Sequence, residues 1–246
     1  MNIPEYDSAA DFYVAFVDRT LNDPGSSWHP LLEKYVALLK DRLSGACVLD
    51  IACGEGHLSR LLSAYGPREI IGIDLSSALI KVASERTPQS QVHFRTDDAR
   101  VLSSIPDASV DIAVSKLAVM DIPDHQALFS AVYRVLVPNG VFVFSLLHPC
   151  FETPFHEPEA PQFIVGQQGE STGYAIREYV REGHWNSGGT GVRGKVGAYH
   201  RTLSTLINDL LSTGFVLRGL YEPVAKAPGL FAQVPRSLLI HAQISN

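Results

Sequence analysis

The sequence predicts an α/β fold: a doubly wound, mostly parallel sheet of seven strands, with a cap segment inserted before the last helix and strands. Three observations lead there. Short apolar runs alternate with stretches of helical periodicity, the pattern of parallel strands covered on both faces. The run Val48-Leu-Asp-Ile-Ala-Cys-Gly-Glu-Gly56 reads as a buried strand followed by a glycine turn. Ile70-Ile-Gly-Ile-Asp74 reads as a second buried strand, ending in a carboxylate about 20 positions after Gly54. That spacing sets the two turns side by side at the carboxyl edge of a parallel sheet, where such folds hold nucleoside-like ligands.

The elements follow in order. Residues 1–29 are mixed, with Tyr6, Phe12, Tyr13 and Phe16 and a turn at Asn22-Asp-Pro-Gly25. Pro30 suits the first turn of a helix to about Leu43, whose apolar stripe is Leu31, Leu32, Tyr35, Val36, Leu38 and Leu39. Strands are expected near 46–51, 69–74, 91–95, 110–115 and 141–147, with helices near 57–64, 76–86 and 124–136 between them. Ser76 is placed to cap the second of these helices, and Pro123-Asp124 opens the third. Pro138-Asn139-Gly140 ends that helix and turns into the fifth strand. The pattern stops at His148-Pro149, and 149–198 is rich in Gly, Pro, His and aromatics, as lids and binding segments are. A helix resumes from about Arg201 to Ser212, closed by Gly214, and strands near 215–222 and 236–244 complete the sheet. The expected organisation is one domain: a helical cover (1–45), a core (46–147), a cap insertion (148–199) and a closing helix with two strands (200–246).

The chain has 246 residues, enough for one large domain. Twenty-six acidic residues against 20 basic ones leave a net charge of -6, and no Lys/Arg block occurs, so nucleic acid is not the expected partner. No apolar run is long enough to cross a bilayer, and the N-terminus lacks the charged and apolar regions of a signal peptide. Cys47, Cys53 and Cys150 show no metal-ligand spacing. A cytoplasmic protein with reduced thiols, no metal and no membrane partner is expected, as a monomer or homodimer.

The glycine turn carries the chemistry. A pyrophosphate site has the pattern Gly-x-Gly-x-x-Gly, but here Gly54 and Gly56 are followed by Ser59. Asp50 adds a carboxylate at the strand end, which repels a pyrophosphate and attracts a ligand bearing an ammonium or sulfonium group. S-adenosylmethionine has both groups, an adenosine and no phosphate.

Val48–Gly56, Ile70–Ser76, Thr96-Asp97-Asp98-Ala99, Val110–Asp124 and Arg134-Val-Leu-Val-Pro-Asn-Gly140 together resemble the class I S-adenosylmethionine-dependent methyltransferases, in their small-molecule branch. The resemblance covers residues 30–147 and, more weakly, 200–245. It implies a Rossmann-like sheet and S-adenosylmethionine as cofactor, with S-adenosylhomocysteine as product. It also implies roles. The backbone of Cys53, Gly54 and Gly56 passes the methionine moiety, with Asp50 near it. Asp74 accepts both ribose hydroxyls. Leu75 covers one face of adenine, Asp98 accepts from the adenine amino group, and Ala99 lies beside it. Ser115 and Lys116 offer backbone groups to the methionine end.

Methyl transfer is an in-line displacement, and much of its acceleration comes from holding the reactants in line. A base is needed only where the O or N (or C) nucleophile of the small-molecule acceptor must lose a proton. His148 and His200 are the candidate bases, with His156 and His184 behind them; a turn residue and a helix-cap neighbour are the structural alternatives for the first two. Tyr13, Asp121, Trp185 and Tyr199 are the candidate acceptor-binding residues, and Tyr174 and Tyr179 are further aromatics of the cap. Tyr6, Phe12 and Tyr13 suit a lid over a sulfonium. Two other readings stay open: a protein that binds the cofactor without transferring methyl groups, and a nicotinamide-dependent oxidoreductase, against which the missing third glycine and Asp50 count.

Overall fold

A computed structural model describes residues 5–152, 163–226 and 232–245. Five parallel strands, β1 (Cys47–Ile51), β2 (Glu69–Asp74), β3 (Val92–Thr96), β4 (Val110–Lys116) and β5 (Leu136–Leu147), form most of the main sheet. Two short hairpins belong to the cap: β6 (Phe163–Val165) with β7 (Ser171–Tyr174), and β8 (Gly183–Trp185) with β9 (Ala198–His200). The strands β10 (Phe215–Tyr221) and β11 (Ser237–Ile244) close the sheet in the order β10-β11-β5-β4-β1-β2-β3, with β11 antiparallel to both neighbours. The predicted doubly wound sheet of seven strands is the one observed.

The helices are α1 (Glu5–Ser8), α2 (Ala10–Asn22), α3 (Trp28–Leu43), α4 (His57–Ser63), α5 (Ser77–Arg86), α6 (His125–Val135), α7 (Val192–Lys195) and α8 (Leu203–Ser212). They bury the sheet from both sides. Leu31, Tyr35, Leu39 and Leu43 of α3 pack with Leu58 and Leu62 of α4 on one face; Phe129 and Val132 of α6 pack with Leu206 and Leu210 of α8 on the other. Alternate residues of β1 divide between the two cores, Val48 to the first and Leu49 and Ile51 to the second, as the two-residue period of a strand requires. Each fully buried Leu or Phe contributes about 1.5–3 kcal/mol through the water it gives up.

The caps explain where helices begin. The Ser76 hydroxyl accepts from the Leu79 amide, Asp124 from Ala127 and Thr202 from Thr205. Two places differ from the sequence expectation. The strand expected from residue 141 already starts at Leu136: Leu136 pairs with Val110, and the next pair is Ile112 with Val141, so residues 137–140 bulge out of the ladder. Asn139 takes a φ of 64° there. The mixed N-terminal segment also holds a three-turn helix, α2, whose Asp18 forms a two-oxygen pair with Arg86 at the end of α5.

Among the described residues, no helix is long and apolar enough to cross a membrane.

Candidate functional site

The chain runs from β1 outward to β2 and β3, then crosses back to β4 on the other side of β1. This reversal opens a crevice at the carboxyl ends of β1, β2 and β4. A cavity of about 350 Å³ lies there, within the range of small-ligand sites.

Two glycines shape the turn beneath it. Gly54 (φ 56°) and Gly56 (φ 82°) are both in the left-handed region. A Cβ on Gly54 would meet the Tyr13 ring at 3.2 Å, and one on Gly56 would meet Phe94 at 2.7 Å. The turn is tied to β2 through Asp74. Its carboxylate accepts from the Gly54 amide through Oδ2 and from the Ser76 amide through Oδ1, each at 2.9 Å. Burial pushes Asp74 up to about 6 against the pull of those two amides. Leu75, beside it, is 49% exposed, an apolar surface offered to the cavity.

Across the cavity, two adjacent carboxylates have different tasks. Asp97 is buried and accepts from the Ser104 amide and the Ser103 and Ser104 hydroxyls, so it holds the loop together. Asp98 faces the cavity with Ala99, and its pair with Arg100 holds it below the ordinary carboxylate range. Lys116, at the end of β4, also reaches the cavity, with its ammonium 3.7 Å from the centroid of the Trp28 ring.

The roof comes from distant segments. Tyr6 and Tyr13 stack edge to face at 5.3 Å, and both line the cavity. The Tyr6 hydroxyl donates to Asp121, which forms an ion pair with Arg193 of α7. Arg201 donates to the carbonyls of Ile122 (2.7 Å) and Pro123 (2.8 Å), fastening the end of the cap to the turn after β4. His184 and Tyr199, from the two strands of the second cap hairpin, complete the wall.

Of the residues singled out in the sequence, Gly54, Asp74, Leu75, Asp98, Ala99 and Lys116 line this cavity, together with Tyr13, Asp121 and Tyr199. Asp50, Cys53, Gly56 and Ser115 do not. Asp50 is buried behind the turn and accepts from Ser59 at 2.6 Å, and the Ser115 carbonyl accepts from Tyr35 at 2.6 Å. Burial pushes Asp50 up to about 6. Lys116 is half-buried against Trp28.

The two leading candidate bases, His148 and His200, lie off this cavity. The Nδ1 atom of His148 accepts from the Cys150 amide (3.2 Å) and its Nε2 donates to Glu222 (2.8 Å), so both nitrogens organise the turn after β5. His200 is buried and donates from Nε2 to the Tyr179 carbonyl at 2.8 Å. Burial lowers both histidines. His200 and Trp185 border a much smaller void of about 20 Å³, which shares Ala198 and Tyr199 with the large one. Trp185 is otherwise part of the core. His156 lies outside the described residues. Arg193 and the wall position of His184 were missed by sequence reasoning: neither residue belongs to a motif, and only the folded cap brings them to Asp121 and Tyr199.

A methyltransferase-domain family model matches residues 49–144, the segment from β1 to β5. An uncharacterized protein from Haemophilus influenzae is 28% identical over 204 residues, covering 80% of this chain and 78% of its own length. A malonyl-[acyl-carrier protein] O-methyltransferase from Serratia marcescens is 36% identical over 103 residues; the match covers 42% of this chain, which spans only 39% of that enzyme. The crystal structure of an S-adenosylmethionine-dependent methyltransferase from Mesorhizobium loti superposes with a TM-score of 0.75 at 28% identity, covering 89% of this chain and 98% of that one.

Proposed function

As this chain belongs to the class I S-adenosylmethionine-dependent methyltransferases, we propose that it transfers a methyl group from S-adenosylmethionine to an O or N nucleophile of a small molecule. The observation that carries this reading is the Asp74 carboxylate at the cavity wall. Its two oxygens are aimed by the Gly54 and Ser76 amides and keep lone pairs for a ribose diol.

The remaining lining residues suit the same ligand. Leu75 and Ala99 offer apolar contact to a purine, and Asp98, held ionised by Arg100, accepts from an exocyclic amine. The tight Gly54 turn lets the backbone approach an amino-acid chain. When bound, the cofactor supplies an activated methyl group on a sulfonium. Tyr6, Tyr13, Asp121, His184 and Tyr199 then bound the space left for the acceptor, and the covers formed by residues 5–22 and the cap keep water from it. Their contribution is positioning, with effective molarities on the order of 10⁵ M or more for well-oriented reactants. No proton transfer is assigned to His148 or His200, whose ring nitrogens serve neighbouring groups in the fold.

The test is isothermal titration with S-adenosylhomocysteine. Wild-type protein binds it, and Asp74→Ala weakens binding by roughly 10- to 100-fold, the worth of hydrogen bonds to a charged group. Absence of binding at millimolar ligand removes the reading. Labelling of a cell extract with isotopic S-adenosylmethionine, followed by mass spectrometry, then identifies the acceptor as the species labelled only when the protein is present.

A further inference from the structure

The second cap hairpin carries two histidines, and its pleat sends them to opposite sides. Along the β8–β9 pair, Gly183 lies opposite His200, His184 opposite Tyr199 and Trp185 opposite Ala198. Side chains alternate across a strand, so Trp185, Ala198 and His200 share one face and His184 and Tyr199 the other. The first three are buried. His184 and Tyr199 line the large cavity, with their rings edge to face at 5.0 Å. Among the described residues, His184 is the one histidine that lines it, and neither of its ring nitrogens has a hydrogen-bond partner.

The fold makes room for that ring. Gly197 takes a φ of 64°, and a Cβ there would stand 2.5 Å from His184 Nε2. The Gly197 carbonyl accepts from Arg193, the ion-pair partner of Asp121. The imidazole is thereby set beside the network that closes the acceptor space. The other proton-accepting groups of the wall are engaged: Asp74 by two amides, Asp97 by its own loop, Asp98 by Arg100 and Asp121 by Arg193. Lys116 turns its ammonium onto Trp28, which is not a lining residue. Burial raises Tyr6 and Tyr13, which keep their protons at neutral pH. An imidazole with unengaged nitrogens is suited to take up a proton and return it to water.

We infer that His184 is the general base of the acceptor site, and that the acceptor accordingly presents a hydroxyl of the phenol kind rather than a carboxylate. The inference rests on the transferase reading above. A carboxylate is already ionised at neutral pH and needs no base. A phenol titrates at about pH 10 and an ordinary imidazole at about 6.5, a gap that closes as the proton moves with bond formation. In that step the hydroxyl oxygen bonds to the methyl carbon, and the carbon–sulfur bond breaks with its electron pair going to sulfur. The hydroxyl proton passes to His184 and then to solvent. The products are a methyl ether and S-adenosylhomocysteine.

The experiment compares wild-type protein, His184→Ala and His184→Gln in the labelling of cell extract by isotopic S-adenosylmethionine. Label transfer is expected to fall by about 10²- to 10⁴-fold in both variants. Their calorimetric affinity for S-adenosylhomocysteine and their unfolding midpoints stay at wild-type values. The label made by wild-type protein survives mild alkali, as an ether does and a methyl ester does not. Any of four results overturns the assignment: unchanged transfer in His184→Ala, full transfer in His184→Gln, an alkali-labile label, or S-adenosylhomocysteine affinity lost in step with transfer. Diethyl pyrocarbonate, which acylates free imidazole nitrogens, reads the same ring without turnover. Peptide mass spectrometry should find His184 modified in ligand-free protein while His200 is spared; a His184 as inert as His200 also overturns the assignment. Wild-type protein that binds S-adenosylhomocysteine and labels nothing removes the transferase reading, and this one with it.

Discussion

The Tyr6 hydroxyl and the Asp121 carboxylate hydrogen-bond at 3.1 Å across 115 positions of sequence. Arg193 joins both, donating to each Asp121 oxygen and, at 3.3 Å, to the Tyr6 oxygen. The residue after Tyr6 fastens the same segment a second time, for Asp7 accepts from the Ser76 hydroxyl and the Ala78 amide. The N-terminal cover, the turn after β4 and the cap are thus closed over the cavity by one small polar network.

Arg193→Met tests that closure. It strands a partly buried carboxylate and is expected to lower stability by about 1–3 kcal/mol, read by urea unfolding. Amide hydrogen exchange in residues 5–22 should quicken in the same variant. An unchanged midpoint together with unchanged exchange would show that the network holds nothing shut.

The pH dependence of binding follows from Asp74. Its folded value is raised to about 6, so below that pH the carboxylate takes up a proton. A ligand that needs the ionised form binds with constant affinity above about pH 6 and weakens by up to about tenfold per unit below it. Asp74→Asn flattens this profile at a lower affinity. A wild-type profile that stays flat from pH 7 to pH 5 contradicts the assignment.

The same shift acts on stability with the opposite sense from an ordinary ion-paired carboxylate. Asp50 and Asp74 are both pushed up to about 6 by burial, from the ordinary carboxylate value of 3.8. Between those values the folded chain holds protons that the unfolded chain has released, so ligand-free stability falls as pH rises through that window. Urea midpoints at pH 5 and pH 7 measure this, and Asp50→Asn removes part of the difference.

Gly56→Ala adds a methyl group where φ is 82° and Phe94 stands 2.7 Å from the new Cβ. A loss of about 1–3 kcal/mol is expected from the backbone strain alone. Phe94→Leu restores only the part due to contact. Full rescue would place the whole cost in the clash.

His148→Ala and His200→Ala should lower the unfolding midpoint, because each removes a buried, hydrogen-bonded ring, while S-adenosylhomocysteine affinity stays near wild type. Once an acceptor is known, a variant of normal stability that has lost turnover would return that histidine to the chemistry.

Much of the cavity floor was legible in the chain. Val48–Gly56 and Ile70–Asp74 mark two strand ends by period, glycine and terminal acid, and those signals are local. Asp98 was preferred to Asp97 because Ala99 follows it; both line the cavity, Asp97 held by its own loop and Asp98 paired with Arg100. Asp50 was read as a cavity carboxylate, yet it belongs to the face of β1 that meets α4, where Ser59 takes it. Period alone distinguishes the two faces of a strand; it does not say how far past the strand a side chain still reaches the crevice.

The sequence by itself determined the sheet, its helices and the pair of turns that places Gly54 against Asp74, because apolar period, capping residues and glycine conformation act over a few residues. Only the tertiary structure decided the roof and the charges. Tyr6, Asp121 and Arg193 meet across the chain, His148 and His200 turn to partners within the fold, and Lys116 comes to rest half-buried on Trp28. Such contacts depend on where long, non-periodic segments close, and on which charges lose their water when they do.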